Sequence, residues 1–420
     1  MNDSGFPWSD PPRWYRLYGK SVLSQYPLPV QMLCARSGVK SGDYTDSGAA
    51  ASQEEQDSGP DGDSPDIRIY FDGIVSRSDP GAGPSDHPPD TFWRVWKQLD
   101  DGNWMLRYYG SAGHMSQFLI APDGSQIRVS QSWPEWRDTL FALINPACAA
   151  ALFLAGHPLV HASSLVTGGT AFLISGVSGA GKSTLSAALA AEGMALHSDD
   201  IAAMDPELQT VAPGYPLIKV DPELPAGIGL DDVTLLPVRA SSADTDSAGR
   251  TSGGHKSGDH KLKYDNAATH AADPAKNLKD REDTADPKAQ TGSGTKTAAT
   301  ASESSIHERW IAASELPGGF YGHPAPVGGL FILTGRDPKL SAPKVTRISG
   351  MRAGIALAEH LYGPDWLQPP GPGLLSVFSS LAGSIPVYQV EMPDGLSRLR
   401  SSARMLISRF IGPLAEGKLP

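Results

Sequence analysis

The segment from Gly176 to Thr184 reads GVSGAGKST, which combines glycines with a lysine and two neighbouring hydroxyl side chains. This spacing matches the pattern G-x-x-x-x-G-K-[ST], whose backbone N–H groups turn towards the phosphates of a nucleotide. Lys182 adds a positive charge, and Ser183 offers a hydroxyl ligand to Mg²⁺. We therefore predict a nucleotide-binding loop made of Gly176, Ser178, Gly179, Ala180, Gly181, Lys182, Ser183 and Thr184.

Two adjacent acids, Asp199 and Asp200, end the next predicted strand, Met194 to His197. At the carboxyl edge of a parallel sheet they would lie beside the phosphates. One carboxylate can hold Mg²⁺ or its water, and the other can accept a proton from an attacking hydroxyl, as phosphoryl transfer requires. A helix cap or a turn is the alternative role for this pair. We favour the functional role because the predicted loop lies upstream.

His161 lies in the segment LVHASS, just before the strand that leads into the loop. A lone histidine is more often a core or surface residue than a ligand contact, so its residue type alone assigns no role. It is a candidate site residue because of its position in the chain.

The predicted loop stands between a predicted strand and a predicted helix. Before it, the apolar run Ala171 to Ile174 is typical of a buried strand. After it, apolar residues recur at helical spacing, and Gly193 is placed to end the helix. A glycine-rich turn without a ligand is the alternative, and the strand–loop–helix context argues against it.

The N-terminal part of the chain is predicted to be β-rich. Arg13 to Pro29 alternates aromatic and polar residues and indicates two strands with a turn near Gly19. Further alternating segments predict strands at Asp66 to Phe71, Phe92 to Trp96, Trp104 to Tyr109, Gln117 to Ile120 and Gln126 to Val129. The last four are expected to form a small antiparallel unit with Asp-Gly turns. Trp93, Trp96 and Trp104 are more often core residues than an exposed platform for peptides or sugars.

The C-terminal part alternates predicted helices and strands. Helices are predicted at Glu135 to Leu154, Met351 to Leu361 and Leu396 to Phe410, and strands at Ile218 to Val220, Gly328 to Thr334 and Val387 to Val390. Three polar stretches with few apolar residues, 36–64, 76–90 and 239–305, are predicted to be disordered. We therefore expect an accessory domain at 1–134 and a second domain at 135–420 that carries the loop.

The composition narrows the classes of partner. The chain has 420 residues, a net charge of −11 and a pI of about 5.4. An acidic chain without a basic block lacks the positive face that nucleic acids and anionic membranes require, so we expect neither as a partner. Cys34 and Cys148 are the only cysteines, which argues against a disulfide framework. With no signal-peptide pattern and no long apolar run, we expect a cytoplasmic protein.

Several of these segments together resemble a known family. LVHAS at 159–163, GVSGAGKST at 176–184 and HSDD at 197–200 resemble the C-terminal fold of HPr kinase/phosphorylase, and most closely the HPr kinase-related proteins of bacterial gene clusters, including lasso-peptide pathways. Segments that also resemble this group are Tyr15 to Gly19, Pro27 to Pro29, Pro213 to Pro216, Glu308 to Trp310, and those around Leu330 and Pro386 to Tyr388. ATP-dependent phosphoenolpyruvate (PEP) carboxykinase shares the order of histidine, loop and paired acids. The resemblance implies an α/β fold with a P-loop nucleotide-binding core of the HPr kinase/PEP carboxykinase type. To this core the composition adds a small N-terminal β-rich domain and disordered insertions.

The resemblance also implies the ligands and the roles of the site residues. ATP and Mg²⁺ would be bound, with Lys182 on the phosphates and Ser183 and Asp200 on the metal. Asp199 would be the general base towards a serine hydroxyl. His161 would lie near the transferred phosphate or the metal.

A cation and an acceptor complete the implied site. Arg309 is a candidate for neutralising transition-state charge. The implied activity is that of a kinase that transfers the γ-phosphate of ATP to a hydroxyl, serine first, of a peptide, a protein or a small molecule. Relatives of this fold commonly assemble, so a homo-oligomer is also considered. The family's Gly-rich signature after the acid pair is missing, which argues against reverse phosphorolysis and against HPr as the substrate.

Two alternatives to a kinase stay open. One is an ATP-binding regulatory or scaffold module that no longer transfers phosphate, which the long insertion before Arg309 would suit. The other is a carboxykinase, which would need further cationic and metal-binding residues upstream of His161. A GTPase would carry an Asn-Lys-x-Asp signature and an ABC-type ATPase an LSGGQ-like segment, and the sequence contains neither.

Overall fold

A computed structural model describes residues 13–26, 28, 64–74, 93–109, 115–132, 137–205, 207, 209–237, 309–362 and 383–418. The three stretches predicted to be disordered lie outside these residues, apart from Ser64 at the end of the first stretch. Over the described residues the chain is a mixed α/β protein with several sheets and short helices. No helix in this part of the chain is long and apolar enough to cross a membrane.

The first sheet contains the strands that the N-terminal sequence predicts. They are β1 (Arg13–Leu17), β2 (Lys20–Ser24), β3 (Ile67–Ile74), β4 (Trp93–Gln98), β5 (Trp104–Tyr109), β6 (Met115–Ile120) and β7 (Gln126–Gln131). Their spatial order is β1-β2-β3-β7-β6-β5-β4. Strands β4 to β7 pair antiparallel, which confirms the predicted antiparallel unit.

Strand β3 joins this unit in an orientation that the sequence does not predict. It pairs parallel with both β2 and β7. A short hairpin forces antiparallel pairing, but the chain between Ser24 and Ile67 is long enough for the crossover that a parallel pair needs. The first sheet is therefore mixed.

The remaining strands belong to two further sheets. They are β8 (Leu159–Val160), β9 (Ala162–Thr167), β10 (Thr170–Gly176), β11 (Ala195–Ser198), β12 (Ala202–Asp205), β13 (Thr210–Val211), β14 (Leu217–Val220), β15 (Leu236–Pro237), β16 (Arg309–Ala312), β17 (Ala325–Asp337), β18 (Lys344–Ile348) and β19 (Val387–Pro393). The second sheet is built around β10, β17 and β19, and the third has the order β14-β16-β15. The strands predicted at 218–220, 328–334 and 387–390 are confirmed.

Several strands of the second sheet end at one edge. β10, β17 and β19 run parallel. β11 has the same direction as β10, because both strands pair antiparallel with β9. The glycine-rich loop after β10 and the acid pair after β11 therefore lie at the same carboxyl edge, where open α/β sheets bind their ligands.

The helices are short and pack against these sheets. They are α1 (Arg137–Ala142), α2 (Cys148–Leu154), α3 (Lys182–Ala191), α4 (Leu224–Ile228), α5 (Met351–Glu359), α6 (Leu399–Leu406) and α7 (Gly412–Ala415). Helices α1 and α2 are joined by a π-turn that contains Pro146. Proline lacks the N–H group of the regular helical ladder, which accounts for this interruption. The predicted helix at 135–154 is confirmed from Arg137 onward, and its first residues lie outside the described part. The helix predicted at 351–361 is confirmed but ends at Glu359, and the one at 396–410 is confirmed.

One apolar core crosses the predicted domain boundary. Buried side chains of the first sheet, such as Tyr18, pack in one cluster with Leu143 of the π-turn and with Leu217 and Trp310 of the third sheet. Trp96 and Trp104 are partly buried against the same cluster, as expected for core residues. The side chain of Trp93 is outside the described part. The division at 134/135 stays a prediction.

Candidate functional site

The loop between β10 and α3 has the conformation that its glycines allow. The φ angles of Gly179 and Gly181 are 79° and 94°, a region that side chains with a Cβ rarely adopt. The turn is closed by the hydrogen bond from the N–H of Ala180 to the carbonyl of Val177, at 3.1 Å. Helix α3 begins at Lys182, so its unpaired N-terminal N–H groups lie at the loop. The predicted strand–loop–helix arrangement is therefore present.

Lys182 is buried against this loop. Its side chain is 7% exposed, and its Nζ donates hydrogen bonds to the carbonyls of Gly176 (3.0 Å) and Val177 (3.4 Å). Burial lowers the pKa of Lys182, and the carboxylates of Asp200 and Asp199 oppose that effect. An ammonium group with so little access to water favours the approach of an anion.

Asp199 is fully buried and hydrogen-bonded through both oxygens. Its Oδ1 accepts from Ser163 Oγ at 2.8 Å and from Ser183 Oγ at 3.3 Å. Its Oδ2 accepts from the backbone N–H of Lys219 at 2.9 Å. Burial, together with the charge of Asp200, raises the pKa of Asp199 above its usual value. The acid pair is therefore linked directly to the serine that begins the helix.

Asp200 has a different environment from its neighbour. Its φ angle is 61°, a left-handed conformation that is uncommon for residues other than glycine and that often marks functional sites. Its Oδ2 lies 3.2 Å from Nζ of Lys219, with both side chains 18% exposed. Burial alone would raise the pKa of Asp200, but the charge of Lys219, with smaller contributions from His161 and Lys182, lowers it overall.

His161 lies between β8 and β9 and faces the same charges. Its backbone N–H donates to the carbonyl of His360 at 2.8 Å. Its ring makes an edge contact with the ring of Tyr362, with 6.1 Å between centroids. Burial and the charge of Lys182 lower the pKa of His161 to about 4. The imidazole is therefore neutral at neutral pH and can donate or accept a hydrogen bond.

Lys219 is a site residue that the sequence does not identify. It is the third residue of β14, and its Nζ lies 5.6 Å from the ring centroid of Phe141 as well as beside Asp200. The only sequence signal is a lysine between Ile218 and Val220 in a short apolar strand. That signal does not reveal the partner, because the pairing depends on how the third sheet packs beside the second.

Arg309 occupies the opposite face of the third sheet. In the antiparallel pair of β14 and β16, Lys219 is opposite Trp310, and Arg309 is opposite Val220. Directly opposed residues share a face and successive residues alternate, so Arg309 and Lys219 point to different faces. The register therefore does not bring Arg309 to the face that Lys219 shares with Asp200.

A small cavity lies beside the loop on the side of Thr184. It has a volume of about 130 Å³ and is lined by Thr184, Leu185, Leu333, Arg336, Met392 and Leu396, among others. The guanidinium of Arg336 lies over the loop, since a Cβ added at Gly181 would be 2.6 Å from its Nη2. The sequence alone does not identify Arg336. It lies near the end of β17, which pairs with β10, the strand that leads into the loop.

The first sheet reaches the acid pair through its first turn. The N–H of Tyr18 donates to the carbonyl of Gly214 at 3.1 Å, and its hydroxyl donates to the carbonyl of Ile144 at 3.1 Å. The ring of Tyr18 meets the edge of Tyr215 at 5.9 Å. Burial, and then the nearby charges of Tyr18 and the two aspartates, raise the pKa of Tyr215. Both tyrosines are fully buried close enough to the acid pair for its charge to affect their pKa.

The oxygen atoms at this edge could contribute ligands to a magnesium ion if it were held together with a nucleotide. Among the described residues, no group of three or more His, Cys, Asp or Glu side chains is placed to hold a metal alone. Mg²⁺ in nucleotide sites requires fewer protein ligands, because phosphate oxygens and waters complete its octahedron. Ser183 Oγ, 3.3 Å from the carboxylate of Asp199, provides the hard oxygen atoms that this ion prefers.

Comparison with known proteins adds no identification. No protein-family model matches the chain, and no curated protein matches it. The function must therefore be argued from the site itself.

Proposed function

We propose that this protein is an ATP-dependent kinase with a P-loop core of the HPr kinase/PEP carboxykinase type. The observation that carries the proposal is the hydrogen bond between Ser183, at the start of α3, and Asp199, after β11. It brings a glycine-rich loop, a helix N-terminus and an acid pair together at one sheet edge. Phosphoryl transfer from a nucleotide requires this combination.

The triphosphate of ATP is proposed to bind at the N-terminus of α3. The backbone N–H groups from Gly176 to Thr184 would donate hydrogen bonds to the phosphate oxygens. The ammonium of Lys182 would leave its two carbonyl acceptors and bind the phosphate oxygens instead. Two carbonyl acceptors are readily replaced, because a charged oxygen is the stronger hydrogen-bond partner of an ammonium group. The nucleoside would extend past Thr184 into the 130 Å³ cavity, where Arg336 and apolar side chains lie.

Ser183 and Asp200 are proposed to hold Mg²⁺, with Asp199 close by. When bound, this ion would neutralise charge on the β- and γ-phosphates. Asp200 suits a metal ligand because its lowered pKa keeps it ionised. Ser183 would contribute its hydroxyl oxygen to the metal.

Asp199 is proposed to accept the proton of the acceptor hydroxyl. Its raised pKa makes it a better base near neutral pH than Asp200. Because both of its oxygens accept hydrogen bonds in this structure, the acceptor hydroxyl must take the place of one serine donor, and the 3.3 Å contact with Ser183 is the longer of the two. His161, neutral and facing Asp200, would hydrogen-bond the transferred phosphoryl group.

The acceptor is proposed to be a hydroxyl, serine first, of a peptide, a protein or a small molecule. The protein is proposed to be cytosolic, because the sequence holds only two cysteines and Cys148 is unpaired, as is common in a reducing compartment. A homo-oligomer is compatible with this proposal but is not required by the site.

The proposal is tested by binding and transfer assays on the full chain. Affinity for fluorescent ATP is measured with and without Mg²⁺, and transfer of γ-labelled phosphate is followed to a set of hydroxyl-bearing peptides and small molecules. Lys182→Ala is compared with Lys344→Ala, which removes an exposed lysine paired with Glu391. Saturable binding without any transfer would favour the regulatory-module alternative. Absence of magnesium-dependent binding would refute the proposal.

A further inference from the structure

Strand β18 has one open side. It pairs antiparallel with β19 from Lys344 to Ile348 and with no other described strand. On its other side, its backbone makes no hydrogen bond to any described residue. Its side chains are exposed or only partly buried. The backbone N–H and C=O groups of the open side can therefore pair with another extended chain.

This open edge lies within a basic part of an acidic chain. Residues 336–352, which we call the basic segment, contain five basic residues and one acidic residue, although the whole chain has a net charge of −11. The five basic side chains are all exposed, and they are Arg336, Lys339, Lys344, Arg347 and Arg352. Lys344 is paired with Glu391 at 3.5 Å, whereas Arg347 forms no ion pair with any described residue. The surface around the open edge is therefore locally positive.

The basic segment begins beside the candidate site. Arg336 lies over the glycine-rich loop, at Gly181. Arg398 donates hydrogen bonds to two backbone carbonyls of the connection between β17 and β18, at 3.2 and 2.6 Å, and so helps to hold this connection in place. Because β18 runs antiparallel to β19, its first residue, Lys344, lies opposite Glu391 near the carboxyl end of β19. The basic segment thus leads from the loop to the open strand edge.

Resting on the proposed kinase function, we propose that the open edge of β18 binds an extended acidic segment of the acceptor, which makes the acceptor a peptide or a protein. The bound segment would add a strand to the second sheet through backbone hydrogen bonds to β18. An acidic side chain directly opposite Arg347 would lie on the same face of the sheet as the guanidinium, within reach of an ion pair.

Two other occupants fit this edge less well. A second copy of the chain would bring the basic residues of one β18 against those of the other, and like charges on paired strands repel each other. A nucleic acid would offer phosphates to the cations, but it has no row of amide and carbonyl groups that could continue a sheet. The combination of an open strand edge and positive charge therefore favours an acidic peptide.

The order of the strands sets the distance between the docked segment and the reacting hydroxyl. β17, β19 and β18 follow β10 in the sheet, so a strand added beside β18 would lie four positions from the strand that leads into the loop. Neighbouring strands are about 4.8 Å apart, which gives about 19 Å, and an extended chain spans about 3.3 Å per residue. The acceptor hydroxyl should therefore be about six or more residues away from the acidic segment.

Docking is measured by fluorescence anisotropy on the full chain without nucleotide. The probe is a short labelled peptide of alternating glutamate and valine, and the reference peptide has lysine in place of glutamate. The variant is Arg347→Glu. Its matched control is Lys97→Glu, the same reversal of charge at an exposed lysine of β4, which is an edge strand of the first sheet. Thermal denaturation checks that both variants fold.

We expect the acidic peptide to bind at least about tenfold more tightly than the basic one. Arg347→Glu should weaken its binding about tenfold, because attraction becomes repulsion, whereas Lys97→Glu should stay within about twofold of the unaltered protein.

Peptides methylated on alternate backbone nitrogens test the strand pairing without altering the protein. Methylation of one alternate set should abolish binding, and methylation of the other set should not, because only one edge of an added strand faces β18.

A second assay connects docking with transfer. The acidic peptide is joined to a serine through a spacer of about six residues, and the transfer of γ-labelled phosphate to it is compared with transfer to the spacer and serine alone. We expect the acidic part to lower KM about tenfold at similar kcat, because binding remote from the reacting atoms is equal in the ground state and the transition state. Arg347→Glu should remove this advantage and leave ATP affinity unchanged.

The outcomes separate this inference from the proposed function. Equal binding of the acidic and basic peptides, unchanged affinity in Arg347→Glu, or no effect of either methylated set would overturn the docking inference and leave the ATP site as proposed. Tighter binding of single-stranded DNA than of the acidic peptide would also overturn it, as would a dimer that Arg347→Glu dissociates. If the protein binds the acidic peptide but no Mg-ATP, the kinase proposal is refuted, and the assignment of that peptide as an acceptor is refuted with it.

Discussion

Charged side chains are exposed in the first sheet but buried at the carboxyl edge of the second sheet. In the first sheet, the ion pair of Arg128 with Asp72 lies at the surface, with side chains 50% and 26% exposed. At the edge of the second sheet, Lys182 is 7% exposed and Asp199 is fully buried. Both regions contain a cluster of buried apolar side chains, so the difference in the exposure of charge does not come from a missing core.

Burial of charge has a free-energy cost that a surface pair avoids. An exposed pair contributes about 0–1 kcal/mol, whereas a buried ion is destabilising unless partners replace its water. A chain that only had to fold could carry apolar residues at these positions. The comparison supports the proposal that the buried charges of the second sheet serve a ligand.

The largest expected effect is that of Lys182→Ala. We expect it to weaken ATP binding by roughly 100-fold and to abolish transfer, because the buried cation that is proposed to bind the phosphates is lost. Titration with fluorescent ATP measures the binding. Arg128→Ala is the control from the first sheet and should leave ATP affinity unchanged, with stability altered by less than about 1 kcal/mol. Equal losses of ATP affinity in Lys182→Ala and Arg128→Ala would contradict the contrast between the two regions.

Asp199→Asn should abolish transfer while ATP binding falls only a few-fold, because the triphosphate is held by the loop and Lys182. The amide cannot accept a proton, although it can still accept a hydrogen bond from Ser183. Transfer of labelled phosphate and ATP titration measure the two effects separately. Full activity of this variant on the true acceptor would show that Asp199 is not the base.

A smaller effect is expected for Gly181→Ala, with Gly193→Ala as its matched control. Both glycines have left-handed φ angles, 94° and 98°, so both variants should lose roughly 1–2 kcal/mol of stability. Only at Gly181 would the new Cβ displace Arg336, whereas Gly193 has nothing within 4 Å. We expect ATP affinity to fall about tenfold in Gly181→Ala alone, since a cation over the loop is moved. If Gly181→Ala and Gly193→Ala bind ATP with equal affinity, Arg336 takes no part in the proposed site.

The effect with the least bearing on ATP concerns stability at acid pH. His197 is fully buried, and burial lowers its pKa to about 4, as it does for His161. The unfolded chain therefore binds protons that the folded chain excludes, so stability is retained above pH 6.5 and falls as the pH drops towards 4. Asp199, whose pKa is raised, acts in the opposite direction and reduces this slope.

We expect His197→Gln to flatten the slope by up to about 1.4 kcal/mol per pH unit. Chemical denaturation between pH 6.5 and pH 4 measures the slope. His323→Gln alters an exposed ring and leaves in place the His323 carbonyl that lies 2.9 Å from Nε2 of His197, so its slope should not change. An unchanged slope in His197→Gln would show that this histidine takes up a proton in the folded state.

Local sequence patterns predict the secondary-structure elements but not the tertiary contacts between them. The loop, its strand and its helix lie within one continuous segment, so composition and spacing are sufficient to place Lys182 and Ser183. Lys219 meets Asp200 only because β14 packs beside the end of β11, and that contact has no local signal. For the same reason the parallel pairing of β3 cannot be read from its own residues, since the direction of a strand depends on a distant connection.

Successive side chains of a strand point to alternate faces, which explains why Arg309 and Lys219 lie on different faces of the sheet. Both are basic residues in neighbouring strands of one sheet, and the sequence alone gives no register between them. A shift of one position would exchange their faces. The prediction for Arg309 comes from the resemblance, whereas the face on which Arg309 lies follows only from the pairing that the structure provides.

One titration tests the central claim most directly: ATP binding to the unaltered protein and to Ser183→Ala, each with Mg²⁺ and with the metal chelated. The account predicts that Mg²⁺ strengthens ATP binding to the unaltered protein by about tenfold or more. Ser183→Ala should lose most of this gain, because the Ser183 hydroxyl is the proposed metal ligand. Equal affinity with and without Mg²⁺, or no saturable binding of ATP, would contradict the account.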